Sequence, residues 1–154
     1  RVISPSKTTV LGQSLEVLHI PGPADRPTLV FLHEGLGSVA LWRDWPARLC
    51  ERLGCAGLVY SRQGYGQSSP RQDVRGQGRL LPDYMHHEAL QVLPALLAQL
   101  GVRSAVLVGH SDGGTIALLH AAHHPVRACI VMAPHVMVED VSIRAIEAEL
   151  ATLA

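Results

Sequence analysis

The sequence predicts an α/β fold with a doubly wound, mostly parallel sheet. Short apolar runs rich in branched residues alternate along the chain with segments of helical spacing, and the connections between them are short. The 154 residues are 47% hydrophobic and only 17% charged, which is typical of a chain that buries a core and excludes a disordered one. No repeat, linker or low-complexity tract interrupts the pattern, so we expect a single domain over residues 1–154.

The predicted strands share short apolar runs bounded by turn residues. They are a hairpin of Lys7–Val10 and Leu15–Ile20, followed by the buried strands Thr28–His33, Ala56–Tyr60, Ser104–Val108 and Val126–Met132.

The predicted helices follow from apolar spacing and from the residues that begin or end a helix. The regular part of the first helix begins at Pro46, and the helix ends at Gly54. The second begins at Pro82, and Pro94 inside its apolar pattern is expected to kink it or to split it in two. A third helix, of small residues, runs from Thr115 to Ala122.

Composition excludes several classes of protein. Thirteen basic and thirteen acidic side chains give a net charge of zero, which argues against a nucleic-acid partner. No apolar run approaches the length of a membrane span, and residues 1–11 lack a signal-peptide pattern, so we expect a cytoplasmic protein with no membrane partner. The histidine pairs His86-His87 and His123-His124 suggest no metal site, because adjacent helical residues point about 100° apart. We expect no metal and no cofactor, and the sequence does not indicate an oligomeric state.

Gly109-His110-Ser111-Asp112-Gly113 is a G-x-S-x-G motif between a predicted strand and a predicted helix. A serine on so tight a turn projects its hydroxyl above the sheet edge, and the following helix begins where negative charge would develop. Glycine is needed on either side because a side chain would strike the neighbouring strand or helix. The motif predicts Ser111 as a nucleophile; the alternative is an ordinary turn that caps a helix.

With this motif in this context, the chain resembles the N-terminal part of an α/β-hydrolase. Residues 33–38, with the sequence HEGLGS, resemble the His-Gly segment after the third strand of that family. The resemblance implies an oxyanion hole formed by the backbone N–H groups of Asp112 and Gly35, with Leu36 as the next candidate. Glu34 replaces the usual second glycine, and three roles stay open for it: orienting the local backbone, facing the substrate, or lying in solvent.

A second segment, SRQGYGQS at residues 61–68, resembles the family's Asp-x-Arg-Gly-x-Gly-x-Ser loop. Ser61 and Gln63 stand at the Asp and Arg positions, so we expect the local ion pair to be absent. The glycines alone could suggest a dinucleotide loop, but the third glycine and a following helix are missing. The loop is therefore predicted to be structural and to pack beside the turn at Ser111.

The resemblance places the triad acid after a later strand and the histidine base after the last strand. We therefore expect a sheet truncated after the strand that ends near Pro134, with the start of a cap or lid in residues 139–154. Glu139-Asp140 could be the triad acid or the first turn of a helix from Val141. His135 is a candidate substitute base and, with Glu34 and Leu36, a candidate substrate-binding residue.

These observations predict a serine hydrolase that cleaves an ester, a thioester or an activated carbon–carbon bond in a small molecule. The 154-residue chain alone is expected to have little activity without the later histidine. The alternatives are a non-catalytic small-molecule binding protein of the same fold and an inactive fragment of a longer hydrolase.

Overall fold

The computed structural model describes residues 3–72 and 82–134, together with Arg144 and Ala148, which are helical. It contains one six-stranded sheet with the spatial order β1-β2-β4-β3-β5-β6. The strands are β1 (Ser6–Val10), β2 (Gln13–Ile20), β3 (Thr28–Leu32), β4 (Ala56–Tyr60), β5 (Ala105–His110) and β6 (Ala128–Met132). All six predicted strands are present, with ends shifted by at most two residues.

The sheet is mostly parallel, as predicted. β3 is parallel to both of its neighbours, β4 and β5, and β5 is parallel to β6. Only β2 runs the other way: it forms an antiparallel hairpin with β1 on one side and is antiparallel to β4 on the other. The carboxyl ends of the four parallel strands therefore meet at one edge, where ligands bind in open α/β sheets.

In the described ranges the helices are α1 (Trp45–Leu53), α2 (Tyr84–His87), α3 (Leu93–Gln99) and α4 (Asp112–His123), with a 3₁₀ turn at Ala40–Trp42. α1 has Pro46 in its first turn and ends at Gly54, which adopts a left-handed conformation (φ 62°), as predicted.

The predicted helix around Pro94 is divided. A π-helical turn at Glu88–Val92 separates α2 from α3, and Pro94 lies in the first turn of α3. A proline in a continuous α-helix would remove one hydrogen bond and clash with the carbonyl four residues earlier, and the wider turn accommodates it. The prediction of a split is confirmed.

The predicted start of the helix at Thr115–Ala122 was wrong by three residues. α4 begins at Asp112 instead of Thr115. Gly113 and Gly114 are poor helix formers, but they lie in the first turn, where close contact with the sheet matters more than helix propensity.

Helices cover both faces of the sheet, so the side chains of each strand alternate between two cores. One face of β3, including Val30 and Leu32, packs with Leu93 and Leu96 of α3 and Ile116 of α4. The other face, including Leu29 and Phe31, packs with Cys50 of α1 and with Trp42.

The two tryptophans of the chain lie in this second layer. The rings of Trp42 and Trp45 stack with centroids 5.5 Å apart and planes at 12°, and Phe31 meets both edge-on.

None of the helices in the described ranges is long and apolar enough to cross a membrane. The same residues contain no group of three or more His, Cys, Asp or Glu side chains placed to hold a metal ion.

Candidate active site

Ser111 occupies the junction between β5 and α4 in a strained backbone conformation. Its φ is 54° and its ψ is −118°, which non-glycine residues rarely adopt. The N–H of Ser111 donates to the carbonyl of Met132 on β6 at 2.8 Å, and its own carbonyl accepts from Thr115 at 3.1 Å. The sharp turn predicted from the motif is therefore present, and it is fixed to the neighbouring strand.

The glycines of the motif are required by close packing. A Cβ atom at Gly113 would overlap the carbonyl oxygen of Leu32 on β3, and one at Gly109 would overlap the backbone of Gly113. Both positions therefore exclude every side chain, because backbone atoms cannot move aside as a flexible side chain can. The contact brings α4 directly against the carboxyl end of β3.

The loop after β3 lies against the residue that follows Ser111. A Cβ atom at Gly35 would lie 2.8 Å from Oδ2 of Asp112, so the two residues are in direct contact. Gly37 is also confined, since a Cβ atom there would lie 2.8 Å from the Cβ of His33. The structure thus brings together the two residues, Gly35 and Asp112, whose N–H groups were predicted to form the oxyanion hole.

His33 is buried and neutral. Its Nε2 accepts the backbone N–H of Arg62 at 2.9 Å, so the ring proton is on Nδ1, which donates to the carbonyl of Glu34 at 2.6 Å. Burial and the nearby Arg62 guanidinium lower the pKa of His33 to about 3. His33 therefore supports the loop and cannot act as a base at neutral pH.

Arg62 is the residue that sequence reasoning missed. It stands at a variable position of the 61–68 loop, yet it is only 3% exposed. Its Nη1 donates to the carbonyl of His33 at 2.6 Å, and its Nη2 donates to that of Glu34 at 3.2 Å. The Tyr65 ring lies 5.5 Å from the guanidinium carbon. A lone arginine in a glycine-rich loop gives no sequence signal for this role, because its acceptors are backbone atoms.

The 61–68 loop packs beside the site, as predicted. With Ser61 and Gln63 at the Asp and Arg positions the loop has no ion pair of its own, but the carboxylate of Glu16 contacts it. Glu16 of β2, only 4% exposed, accepts hydrogen bonds from the Ser61 hydroxyl at 2.7 Å and from the Gln67 N–H at 3.2 Å. Ser61 also accepts the N–H of Val39 at 2.9 Å. A Cβ atom at Gly66 (φ 52°) would overlap the Glu16 carboxylate. The loop therefore closes around a carboxylate delivered by another strand.

Tyr84 of α2 approaches the side chain of Asp112. The Tyr84 hydroxyl donates to Oδ2 of Asp112 at 2.5 Å. Burial, together with this hydrogen bond to a carboxylate, raises the pKa of Tyr84, so the phenol keeps its proton. The contact ties α2 to the turn at Ser111.

Glu34 and Leu36 border the site from the loop after β3. Oε2 of Glu34 lies 3.6 Å from Nδ1 of His110, and both side chains are about half exposed. Leu36 is 85% exposed. A small cavity of about 60 Å³ lies beside these residues and is lined by His33, Glu34, Gly37, Ser38, Leu41, Trp42 and His110. The Glu34 side chain therefore lines this cavity and contacts His110, the residue before Ser111.

Glu88 is a buried carboxyl group close enough to Arg62 of the 61–68 loop to interact with it electrostatically. Glu88, in the π-helical turn, is 8% exposed, and among the described residues its Oε2 has no hydrogen-bond partner. Burial raises the pKa of Glu88 to about 7, although the Arg62 and Arg71 guanidinium groups oppose the rise. Among the described residues the hydroxyl of Tyr60 likewise has no hydrogen-bond partner.

The remaining predicted residues, His135 and Glu139-Asp140, lie outside the described residues.

Comparison with known proteins agrees with this geometry. The family profile described as the alpha/beta hydrolase fold matches residues 27–150. The chain belongs to the α/β-hydrolase family. The match begins just before β3 and takes in the loops at residues 33–38 and 61–68 and the turn at Ser111.

The relatives include hydrolases of different substrates. The mouse sn-1-specific diacylglycerol lipase ABHD11 is 34% identical over 106 residues, which are 69% of this chain and 31% of that protein. Epoxide hydrolase 2 of Siraitia grosvenorii is 29% identical over 137 residues, 84% of this chain and 39% of that protein. A solved bacterial membrane phospholipase A superposes with a TM-score of 0.70 at 25% identity, covering 90% of this chain and 42% of that one. The chain thus spans between three and four tenths of the length of these two curated relatives.

Proposed function

We propose that this protein is a serine hydrolase that cleaves an ester, a thioester or an activated carbon–carbon bond through an acyl-enzyme on Ser111. The observation that carries the proposal is the backbone of Ser111, held at φ 54° and ψ −118° at the start of α4. Such strain is retained where the surrounding structure enforces it, and it presents the hydroxyl at the ligand-binding edge of the sheet.

In the proposed reaction, the Ser111 oxygen attacks the carbonyl carbon of the substrate and a new C–O bond forms. The carbonyl oxygen takes up the negative charge, and the backbone N–H groups of Gly35 and Asp112 stabilise it. The base takes the proton of the Ser111 hydroxyl during the attack; when the tetrahedral intermediate collapses, the bond to the leaving group breaks and the leaving group departs with that proton. Water hydrolyses the acyl-serine and restores the hydroxyl of Ser111.

Serine needs a histidine base, and we exclude two of the described histidines on chemical grounds. Both ring nitrogens of His33 are engaged and its pKa is about 3. His120 is buried, its Nδ1 contacts the carbonyl of Ala89 at 2.9 Å, and burial lowers its pKa. Because the resemblance implies that the base and its carboxylate follow later strands, we place both outside the described residues, with His135 and Asp140 the first pair to test.

A second candidate is an epoxide hydrolase, since one relative carries that name. The resemblance implies an aspartate nucleophile for that branch of the family, whereas the strained position in this chain is occupied by serine. This favours acyl transfer over epoxide opening.

The test is covalent labelling of the full-length gene product with a fluorophosphonate probe, combined with hydrolysis of p-nitrophenyl butyrate. Ser111→Ala should abolish labelling and lower kcat by several orders of magnitude. Ser104→Ala is the matched control, because Ser104 is exposed and lies at the opposite end of β5. Labelling or hydrolysis that persists in Ser111→Ala would refute the proposal. A wild-type protein that is neither labelled nor active would instead favour a binding protein of the same fold.

A further inference from the structure

The peptide between Glu34 and Gly35 is held by its carbonyl group. That oxygen accepts three hydrogen bonds, from Nδ1 of His33 at 2.6 Å, from the backbone N–H of Gly37 at 3.0 Å and from Nη2 of Arg62 at 3.2 Å. A trans peptide is planar, and its C=O and N–H point in opposite directions. Fixing the carbonyl oxygen therefore fixes the direction of the Gly35 N–H on the other side of the peptide.

Arg62 is itself immobilised by four contacts. Its guanidinium bridges two consecutive carbonyls, those of His33 and Glu34, and its carbon lies 5.5 Å from the centre of the Tyr65 ring. Its backbone N–H donates to Nε2 of His33 at 2.9 Å. The planar, rigid guanidinium suits such a bridge, whereas the single ammonium of lysine does not.

We propose that Arg62 is a positioning residue for the oxyanion hole, which holds the Glu34–Gly35 peptide by its carbonyl and thereby aims the Gly35 N–H at the oxygen of the tetrahedral intermediate. The inference rests on the proposed function, because it assigns Arg62 to the reaction at Ser111. The guanidinium contacts of Arg62 are to the carbonyls of His33 and Glu34 and to the Tyr65 ring, so it is proposed to act through the peptide.

The hydrogen bond from Arg62 to the carbonyl of Glu34 is proposed to act in two ways. It removes the freedom of the peptide to rotate, so that the N–H donor is in place before the oxyanion forms. It also polarises the peptide, since hydrogen bonds to a carbonyl strengthen the donor at the other end of the same unit. Both effects stabilise the transition state more than the bound substrate, so they should change kcat rather than KM.

The experiment compares Arg62→Met and Arg62→Lys in the full-length gene product. Removing one oxyanion donor costs about 10²- to 10³-fold in kcat, and we expect a smaller loss when the donor is only misdirected. Arg62→Met should lower kcat for p-nitrophenyl butyrate about 10- to 100-fold, with KM changed less than about threefold. Arg62→Lys should recover part of that loss, because it keeps the charge and one donor.

A transition-state analogue separates positioning from general damage. An alkyl trifluoromethyl ketone adds to the serine and forms an oxyanion, whereas the matching methyl ketone reports binding alone. Arg62→Met should weaken the affinity for the trifluoromethyl ketone by the same factor as it lowers kcat/KM. The affinity for the methyl ketone should be unchanged.

Arg26→Met is the matched control, because Arg26 also donates to a backbone carbonyl, that of Leu53 at 3.0 Å, but lies on the surface. It should leave kcat unchanged. If Arg62→Met does not fold, Arg62→Lys supports the same comparison, with an expected kcat loss of about three- to tenfold.

Three results overturn the inference, and they are distinguishable. Hydrolysis that depends on Ser111 but keeps its kcat in both Arg62 variants overturns this inference alone. Equal weakening of both ketones does so as well, because it shows general damage to binding. Hydrolysis independent of Ser111 overturns the proposed function and this inference with it.

Discussion

The hydroxyl of Ser61 donates a hydrogen bond to the carboxylate of Glu16 at 2.7 Å, joining residues 45 positions apart in the sequence. β2 thereby supplies a carboxylate to the 61–68 loop, in which the resemblance to other family members implies an aspartate at position 61. The carboxylate is buried and holds the loop through Gln67 as well. The loop thus has a carboxylate partner that comes from a different strand.

This relationship predicts that the aspartate implied by the family is harmful here. Ser61→Asp would place two carboxylates together in a buried site, and we expect a loss of stability on the order of 3 kcal/mol. Adding Glu16→Gln should restore much of the loss, because one charge is removed. Urea unfolding measures both, and Ser4→Asp, at an exposed position, is the control. Additive effects of the two changes would contradict the prediction.

Gly113→Ala should destabilise the protein by about 3 kcal/mol, because even one methyl group overlaps the carbonyl oxygen of Leu32. Gly101→Ala is the comparison: its φ of 69° is also unfavourable for alanine, but the space around it is open. That change should cost only about 1 kcal/mol. Thermal melting of both variants tests the argument, and a loss at Gly113 no larger than that at Gly101 would show that the overlap with Leu32 costs little.

Tyr84 and Asp112 should be energetically coupled. Tyr84→Phe removes the hydrogen bond to the Asp112 carboxylate, and we expect a coupling energy of about 1 to 2 kcal/mol in a double-mutant cycle with Asp112→Asn. Urea unfolding of the two single variants and the double variant gives the value. A coupling energy within error of zero would show that the contact does not stabilise the turn.

Glu88 predicts a pH dependence of stability. Its folded pKa of about 7 lies above the ordinary glutamate value, so the folded state binds a proton that the unfolded chain has released. Its contribution to stability therefore falls as the pH rises from 4.5 to 7. Glu88→Gln removes this loss, and the variant should gain about 2 to 3 kcal/mol relative to wild type between pH 5 and pH 8.

The measurement for Glu88 is the free energy of unfolding in urea at pH 5, 6, 7 and 8. The depressed pKa of His33 acts in the opposite direction, because the unfolded chain binds a proton between about pH 3 and 6.5 and stability rises there. The His33 effect is present in both wild type and Glu88→Gln, so it cancels in the difference between their free energies of unfolding. A difference that stays constant with pH would refute the raised pKa.

The fold was predictable because it depends on local signals. Continuous apolar runs mark the parallel strands, and the G-x-S-x-G motif marks the turn at Ser111 with the glycines that the contact with Leu32 requires. The support around the site was not predictable in the same way. Arg62 acts on backbone carbonyls, and Glu16 reaches Ser61 across 45 residues, so neither contact leaves a spacing pattern. The start of α4 was misplaced because the packing of Gly113 outweighs its poor helix propensity.

The stacked pair of Trp42 and Trp45 gives this molecule a built-in optical reporter. These are the only two tryptophans of the chain, and Trp42 lines the cavity beside Glu34 and His110. Two indoles 5.5 Å apart and nearly parallel couple their electronic transitions, so they produce a near-ultraviolet circular dichroism signal that depends on their geometry. A molecule that enters the cavity and displaces Trp42 would change this signal and the intrinsic fluorescence together. Occupancy of this cavity can thus be followed without a label, even with compounds that are never turned over.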